Sequence, residues 1–407
     1  MLTYSTISEK SLTLCYWLAI ITAISAPIST FITGVTSAAM LVTWLVSGQA
    51  LRSLKIAYDQ AAGKTLLLFY AWLLLGTLYA DTAWSDRLQT LFSWKKLAFT
   101  FVLLGLFYQA RWKRLFVKSY LIAMVIAALI AVPLWLWNVK LWIEREPGIF
   151  MTNHSSQSIA FIAATVCCVF LLKEPASHKR KWLLCAAIGL FVFNIFFISP
   201  ARSGYLAFPF AMIFAVSYLC GFKKSPYVLG AVGILLAVLV LTSTTLQQRI
   251  EQGFTEKDTY QTSEKATSIG LRMVLFKNTL ALIEERPLLG YGTSSFNATY
   301  SAYVAAKYPD WRGKGISDPH NQYLFVWLEN GLIGLSLFLA YIVVVIRQGL
   351  SQPPYGAMAA SFLIAVCASS LFNSNFKTVP EGMLLAFFVG ILLAQCNTES
   401  KKQFDSV

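Results

Sequence analysis

Two histidines and one arginine are the side chains of this sequence best suited to chemistry. His154 and His320 each stand at the edge of an apolar segment. Such an imidazole is either a solvated or structural side chain or a general base, because it exchanges a proton near neutral pH. Arg202 lies in a short junction between two apolar segments, where a guanidinium needs a partner. That partner is either a carboxylate, with Glu329 as the candidate, or an anionic ligand with phosphate oxygens.

A second group of residues could line the same site. Its members are Lys95, Lys96, Gly290, Gly292 and Asn321. Gly290 and Gly292 form either a simple turn or a turn whose backbone N–H groups cradle an anion. An ordinary hydrated loop surface would collect the same residue types, so both interpretations stay open. The histidines and carboxylates lack the spacing of a zinc site, and we therefore expect no metal site.

Arg272 lies on a predicted amphipathic helix in the longest polar segment. Apolar residues recur there every three or four positions, which is helical spacing, and they are Ile269, Met273, Phe276, Leu280 and Ile283. The pair Arg286-Pro287 ends the pattern. Arg272 and Lys277 lie beside the apolar stripe. Either both snorkel from a helix on the membrane surface, or one of them is directed at a ligand phosphate.

The composition predicts which elements must position these residues. Of the 407 residues, 57% are hydrophobic and 13% are charged, whereas soluble domains have about 45–50% apolar and about 25% charged residues. These values exclude a cytosolic enzyme, an intrinsically disordered chain and a disulfide-stapled secreted domain. The sequence predicts an all-α, polytopic integral membrane protein with a formal net charge of +14.

About twelve stretches approach the ~20 mainly apolar residues that a helix needs to cross a membrane. They are 12–28, 29–48, 65–80, 97–110, 115–137, 157–173, 182–198, 203–221, 227–243, 321–346, 355–372 and 380–396. Most Lys and Arg residues of the short loops fall on one side, which places both termini in the cytoplasm and the long loop outside. The predicted organisation is transmembrane helices 1–9 in 1–243, a large external loop in 244–320, and transmembrane helices 10–12 with a cytoplasmic tail in 321–407. Within the loop, the polar stretch 257–268 is expected to be flexible.

Three motifs together resemble a known family. Ser199-Pro-Ala-Arg-Ser-Gly-Tyr205 joins two spans, and Arg286-Pro-Leu-Leu-Gly-Tyr-Gly292 lies in the long loop. Asp318-Pro-His-Asn-Gln-Tyr-Leu324 directly precedes a span. In this order, the motifs resemble the O-antigen ligase and O-antigen polymerase superfamily of Gram-negative inner membranes, over a block of about 199–330.

The resemblance implies a GT-C-like membrane glycosyltransferase with its active site on the periplasmic side. It would transfer O-antigen polysaccharide from undecaprenyl diphosphate to a sugar hydroxyl of lipid A–core, with inversion and without a metal or other cofactor. The family's functional arginines correspond to Arg202 and Arg272, which would bind the donor diphosphate, and its essential histidine corresponds to His320. The expected partners are these two substrates and membrane lipid, with no nucleic acid.

Two other functions stay open at this point. An O-antigen polymerase uses the same lipid-linked donor and differs in its acceptor, which the sequence does not display. A transporter or flippase for lipid-linked glycans would also need arginines and an amphipathic helix. Such a transporter has no need for His320.

Overall fold

A computed structural model of the chain describes residues 4–141, 145–259 and 267–395. In these ranges the chain forms seventeen α-helices and no β-strand. The helices are α1 (Tyr4–Ser25), α2 (Thr30–Val46), α3 (Ala50–Asp59), α4 (Ala61–Tyr79), α5 (Trp84–Ser93), α6 (Lys95–Leu106), α7 (Ala110–Leu136), α8 (His154–Leu171), α9 (His178–Phe193), α10 (Arg202–Cys220), α11 (Ser225–Thr242), α12 (Thr244–Thr259), α13 (Ser268–Glu285), α14 (Phe296–Lys307), α15 (Gln322–Leu350), α16 (Tyr355–Ser369) and α17 (Val379–Leu393). The predicted all-α class is confirmed.

Eight helices in the described ranges are long and apolar enough to cross a membrane. They are α1, α4, α7, α8, α9 with the π-helical turn that follows it, α10, α11 with the turn before it, and α15. Helices α2 and α3 add a ninth span if the pair is counted as one, although they are bent by 104°. Helices α16 and α17 are apolar but shorter. The chain is a multi-pass membrane protein, and the number twelve stays a prediction.

The core of the bundle lies around α8, α16 and α17. Every residue of α17 from Pro380 to Leu393 is buried, and 78% of the span in α8 is buried. By contrast, only 17% of the span that contains α11 is buried, although this helix is apolar throughout. A helix that is apolar on all sides is covered either by protein or by lipid. Helix α11 therefore belongs to the lipid-facing surface, and α8 and α17 belong to the interior.

The predicted external loop contains three helices, α12, α13 and α14. Helix α13 confirms the helix that the apolar spacing predicted and ends just before Arg286. The apolar stripe is not identical with the buried face of α13, because Leu280 is 43% exposed whereas Asn278 is fully buried. The Asn278 side-chain oxygen accepts hydrogen bonds from Lys307 and Tyr308, so a polar residue fits on the packed face. Of the stretch 257–268, residues 260–266 lie outside the described residues.

Candidate active site

Arg202 is the first residue of α10 and lies beside the N-terminus of α8. The Oγ atoms of Ser155 and Ser203 are 3.0 Å apart, and those of Ser158 and Ser199 are 2.8 Å apart. Between these hydrogen bonds the two helices approach very closely at Gly204. A Cβ atom there would lie 2.6 Å from the Cβ of Ser158. The serines and Gly204 thus fix the position of Arg202 relative to α8.

The side chain of Arg202 pairs with a carboxylate of α12. Its Nη2 atom donates to Glu256 Oε1 at 3.3 Å and to the backbone oxygen of Arg249 at 3.4 Å. Its Nε atom is buried and has no hydrogen-bond partner among the described residues. The two paired side chains are 27% and 20% exposed, so this ion pair lies at a partly open surface.

Glu329, the candidate partner suggested by the sequence, does not pair with Arg202. Its Oε1 atom accepts the backbone N–H of Phe296 at 3.2 Å, at the first residue of α14. This carboxylate is buried, and its position at the N-terminus of α14 suits the positive end of the helix dipole. The expectation is corrected because Glu329 stabilises the start of α14, whereas the partner of Arg202 comes from α12.

Arg272 lies on α13 and reaches across to the connection between α16 and α17. Its Nη1 atom donates to Ser268 Oγ at 2.6 Å, and its Nε atom donates to the backbone oxygen of Phe372 at 3.4 Å. Burial and the nearby positive charge of Arg202 lower the pKa of Arg272. The two arginines are therefore close enough to repel each other, a feature typical of a site that receives an anion.

His320 adopts a left-handed backbone conformation, with φ of 53°. Few non-glycine residues occupy this region, and such strain is most often found at functional sites. The Asp318 carboxylate holds the conformation by accepting the His320 backbone N–H at 2.7 Å. Burial lowers the pKa of His320, the charge of Asp318 raises it, and the charge of Arg272 lowers it, with a net decrease. The imidazole is therefore neutral near pH 7 and able to accept a proton.

His154 faces the same group of charges. It is the first residue of α8 and is exposed. Four charged side chains act electrostatically on its imidazole, and they are Arg249, Glu146, Glu381 and Arg272. The first turns of α8 and α10 meet through the Ser155–Ser203 hydrogen bond, and the positive ends of these two helix dipoles favour anions there. We call Arg202, Arg249, Arg272, His154 and His320 the cationic cluster.

The two lysines considered with the site take other positions. The ammonium group of Lys96 is buried and donates to the backbone oxygens of Ser93 and Lys377. The half-buried Lys95 lies over the ring of Phe92, at 4.0 Å from its centroid. Neither contact joins the cationic cluster. Lys96 instead links the start of α6 to the segment that precedes α17.

Asn321 and the two glycines are committed to the protein's own backbone. The Asn321 side chain accepts the first N–H groups of α15 and donates to the oxygen of Leu371 at 3.0 Å. The backbone N–H of Gly290 donates to the backbone oxygen of Arg286, and the backbone N–H of Gly292 donates to the backbone oxygen of Glu329 at 2.7 Å. Of the two alternatives for these glycines, the hydrogen bonds fit the simple turn, because both amides are occupied. This turn packs against α15 at Gly331, where φ of 66° interrupts the helix.

Arg249, Glu256 and Glu381 also lie at this site, and the sequence motifs did not indicate them. Arg249 and Glu256 are seven residues apart on α12, which is two helical turns and places both on one face. The seven-residue spacing is visible in the sequence and indicates that the two charges lie on one face of a helix. Glu381 accepts a hydrogen bond from Ser156 at 2.6 Å and so joins α17 to α8. Nothing local in the sequence indicates that contact, because its partners are separated by 225 residues.

A family model described as O-antigen ligase matches residues 189–339, from α9 to the first half of α15. This segment of the chain is therefore similar to the O-antigen ligase domain. Four members of the cationic cluster lie in this matched segment, together with Glu256. His154 comes from α8, outside the matched residues.

Two relatives are similar to parts of the chain. An O-antigen ligase of Salmonella typhimurium is 26% identical over 255 residues, which are 60% of this chain and 60% of the relative. An uncharacterized protein of Haemophilus influenzae is 23% identical over 154 residues, 37% of this chain and 38% of its own length. The chain thus spans less than two thirds of the length of either relative.

Proposed function

We propose that this protein is an O-antigen ligase of the Gram-negative inner membrane. It transfers O-antigen polysaccharide from undecaprenyl diphosphate to a sugar hydroxyl of lipid A–core. The observation that carries the proposal is that Glu256 joins Arg202 to the first turn of the helix that carries Arg272. Arg272 and Asp318, whose carboxylate holds the backbone of His320, both contact the connection between α16 and α17. In this proposal the site faces the periplasm, and both termini are cytoplasmic.

The chemistry of the cluster fits a diphosphate leaving group. Guanidinium groups bind phosphoryl oxygens through paired hydrogen bonds and stabilise the charge that develops as the glycosidic C–O bond breaks. One well-placed donor of this kind contributes on the order of 3 kcal/mol to transition-state stabilisation. With Arg202 and Arg272 in this role, the reaction proceeds without a metal ion or other cofactor.

His320 acts on the acceptor. Its neutral imidazole takes the proton of the lipid A–core hydroxyl while the hydroxyl oxygen attacks the anomeric carbon of the donor. Undecaprenyl diphosphate leaves from the opposite face, so a single displacement inverts the anomeric carbon. The leaving diphosphate needs no protonation, which is why one base is enough.

Transfer by purified protein in proteoliposomes tests the proposal. The full chain is incubated with lipid-linked O-antigen, with and without lipid A–core, and products are separated by size. We expect glycan on lipid A–core with the wild type, and none with His320→Ala. Lys277→Ala is the matched control, because Lys277 is an exposed cation on α13. Chain growth without lipid A–core would show a polymerase, and normal transfer by His320→Ala would exclude this role for the histidine.

A further inference from the structure

The carboxylate of Glu256 lies among the arginines of the cationic cluster. One carboxylate oxygen accepts Arg202 Nη2 at 3.3 Å, and the other accepts the backbone N–H of Ile269 at 2.7 Å. This carboxylate also interacts electrostatically with the charges of Arg249 and Arg272. A single side chain of α12 thus connects the start of α10 to the first turn of α13.

The donors around Glu256 are those that bind phosphate in other proteins. A guanidinium and a free N–H in the first turn of a helix both prefer an anionic oxygen, and a carboxylate and a phosphoryl group compete for them. Burial raises the pKa of Glu256, but the Ile269 N–H and Arg202 lower it more, so the net pKa is decreased. The carboxylate is therefore negatively charged at neutral pH and takes the place that an anionic ligand would take.

The contact is also open to exchange. Arg202 and Glu256 are 27% and 20% exposed, and the Arg202 Nε atom has no partner among the residues that the structure describes. An ion pair at a partly open surface is weak, because solvent screens it. A diphosphate carries more charge and more acceptor oxygens than one carboxylate, so it is able to displace Glu256.

We propose that Glu256 is an internal competitor of the donor diphosphate. In the free protein it holds Arg202 and the first turn of α13. When the donor binds, phosphoryl oxygens replace the carboxylate on Arg202 and on the Ile269 N–H, and the Glu256 side chain loses both of these hydrogen bonds. This inference rests on the proposed function in that the ligand is the diphosphate of a lipid-linked donor.

Binding measurements on the full chain in detergent test the competition. Glu256→Gln keeps the size of the side chain and removes its charge, and Glu251→Gln is the matched control, because Glu251 is exposed on the same helix. The probes are undecaprenyl diphosphate and inorganic pyrophosphate, which separate recognition of the diphosphate from recognition of the lipid. We expect Glu256→Gln to bind both probes about three- to tenfold more tightly than the wild type. Glu251→Gln should bind them as the wild type does.

Amide hydrogen exchange in residues 268–271 gives a second measurement. We expect Glu256→Gln to exchange faster than the wild type without ligand, and undecaprenyl diphosphate to restore protection. Equal or weaker binding by Glu256→Gln would overturn the competition, since a carboxylate that only orders Arg202 predicts weaker binding. If Glu256→Gln binds more tightly but the wild type transfers no glycan, the competition stands and the proposed function fails. If the wild type transfers glycan and Glu256→Gln binds no more tightly, only the competition fails.

Discussion

Gly204→Ala tests whether the close contact between α8 and α10 positions Arg202. The added Cβ would lie 2.6 Å from Ser158 Cβ, whereas ordinary contacts begin at 3.4 Å, so the helices must separate by about 0.8 Å. Protein interiors are close-packed and resist such changes. Overpacking of this kind costs about 1–3 kcal/mol of unfolding free energy. Because Arg202 begins α10 two residues earlier, it moves with the helix.

The expected effect on transfer is larger than the effect on stability. A displacement of about 1 Å in a positioning group is able to reduce the rate on the order of 100-fold. We therefore expect Gly204→Ala to reduce glycan transfer by about 10- to 100-fold, while the protein still inserts and melts as one unit. The assay combines initial transfer rates in proteoliposomes with the melting temperature of the purified protein.

A compensating substitution separates positioning from general damage. Ser158→Gly removes the atoms that the new Cβ meets, so the double variant Gly204→Ala with Ser158→Gly should recover part of the transfer activity. We do not expect full recovery, because the Ser158–Ser199 hydrogen bond is lost. Gly189→Ala on α9 is the control, since a Cβ at this position would meet no neighbouring element of the described chain within 4 Å. Wild-type transfer by Gly204→Ala, or no gain in the double variant, would refute the positioning role of this contact.

Four further predictions concern charge, pH, metal and the turn beside α15. The pKa of His320 is lowered and the neutral imidazole is the base, so as pH falls the transfer rate should decline only below the ordinary histidine range. Arg272→Ala removes a charge that lowers this pKa, so the acid limb of the pH–rate profile should move to higher pH. Arg202→Lys should retain more transfer than Arg202→Ala but less than the wild type, because an ammonium lacks the bidentate fork, as donor titrations would show. Transfer should persist in excess EDTA, and complete loss that added Mg²⁺ restores would contradict the metal-free mechanism. Gly292→Ala should lower the melting temperature, since φ is 95° there and the Cβ would meet the backbone of Ala80 at 2.6 Å.

The candidate site was partly predictable because its chemistry is concentrated in short motifs. Arg202 stands between two apolar segments and His320 precedes a third, and both features are visible in a few residues of sequence. The spacing of apolar residues was also sufficient to place α13 and its end before Pro287. Periodicity did not identify the buried face of α13, because Asn278 is buried through hydrogen bonds to residues of the following helix and turn.

Local sequence was enough to establish the all-α membrane class and the helix that carries Arg272, because hydropathy and helical spacing are properties of neighbouring residues. The choice of Glu256 over Glu329 as the partner of Arg202 came instead from the packing of the helices. Packing also brings the backbone oxygen of Glu329 to the amide of Gly292. Such pairings depend on how helices distant in the chain meet in space, and a local pattern of residue types carries no information about that meeting.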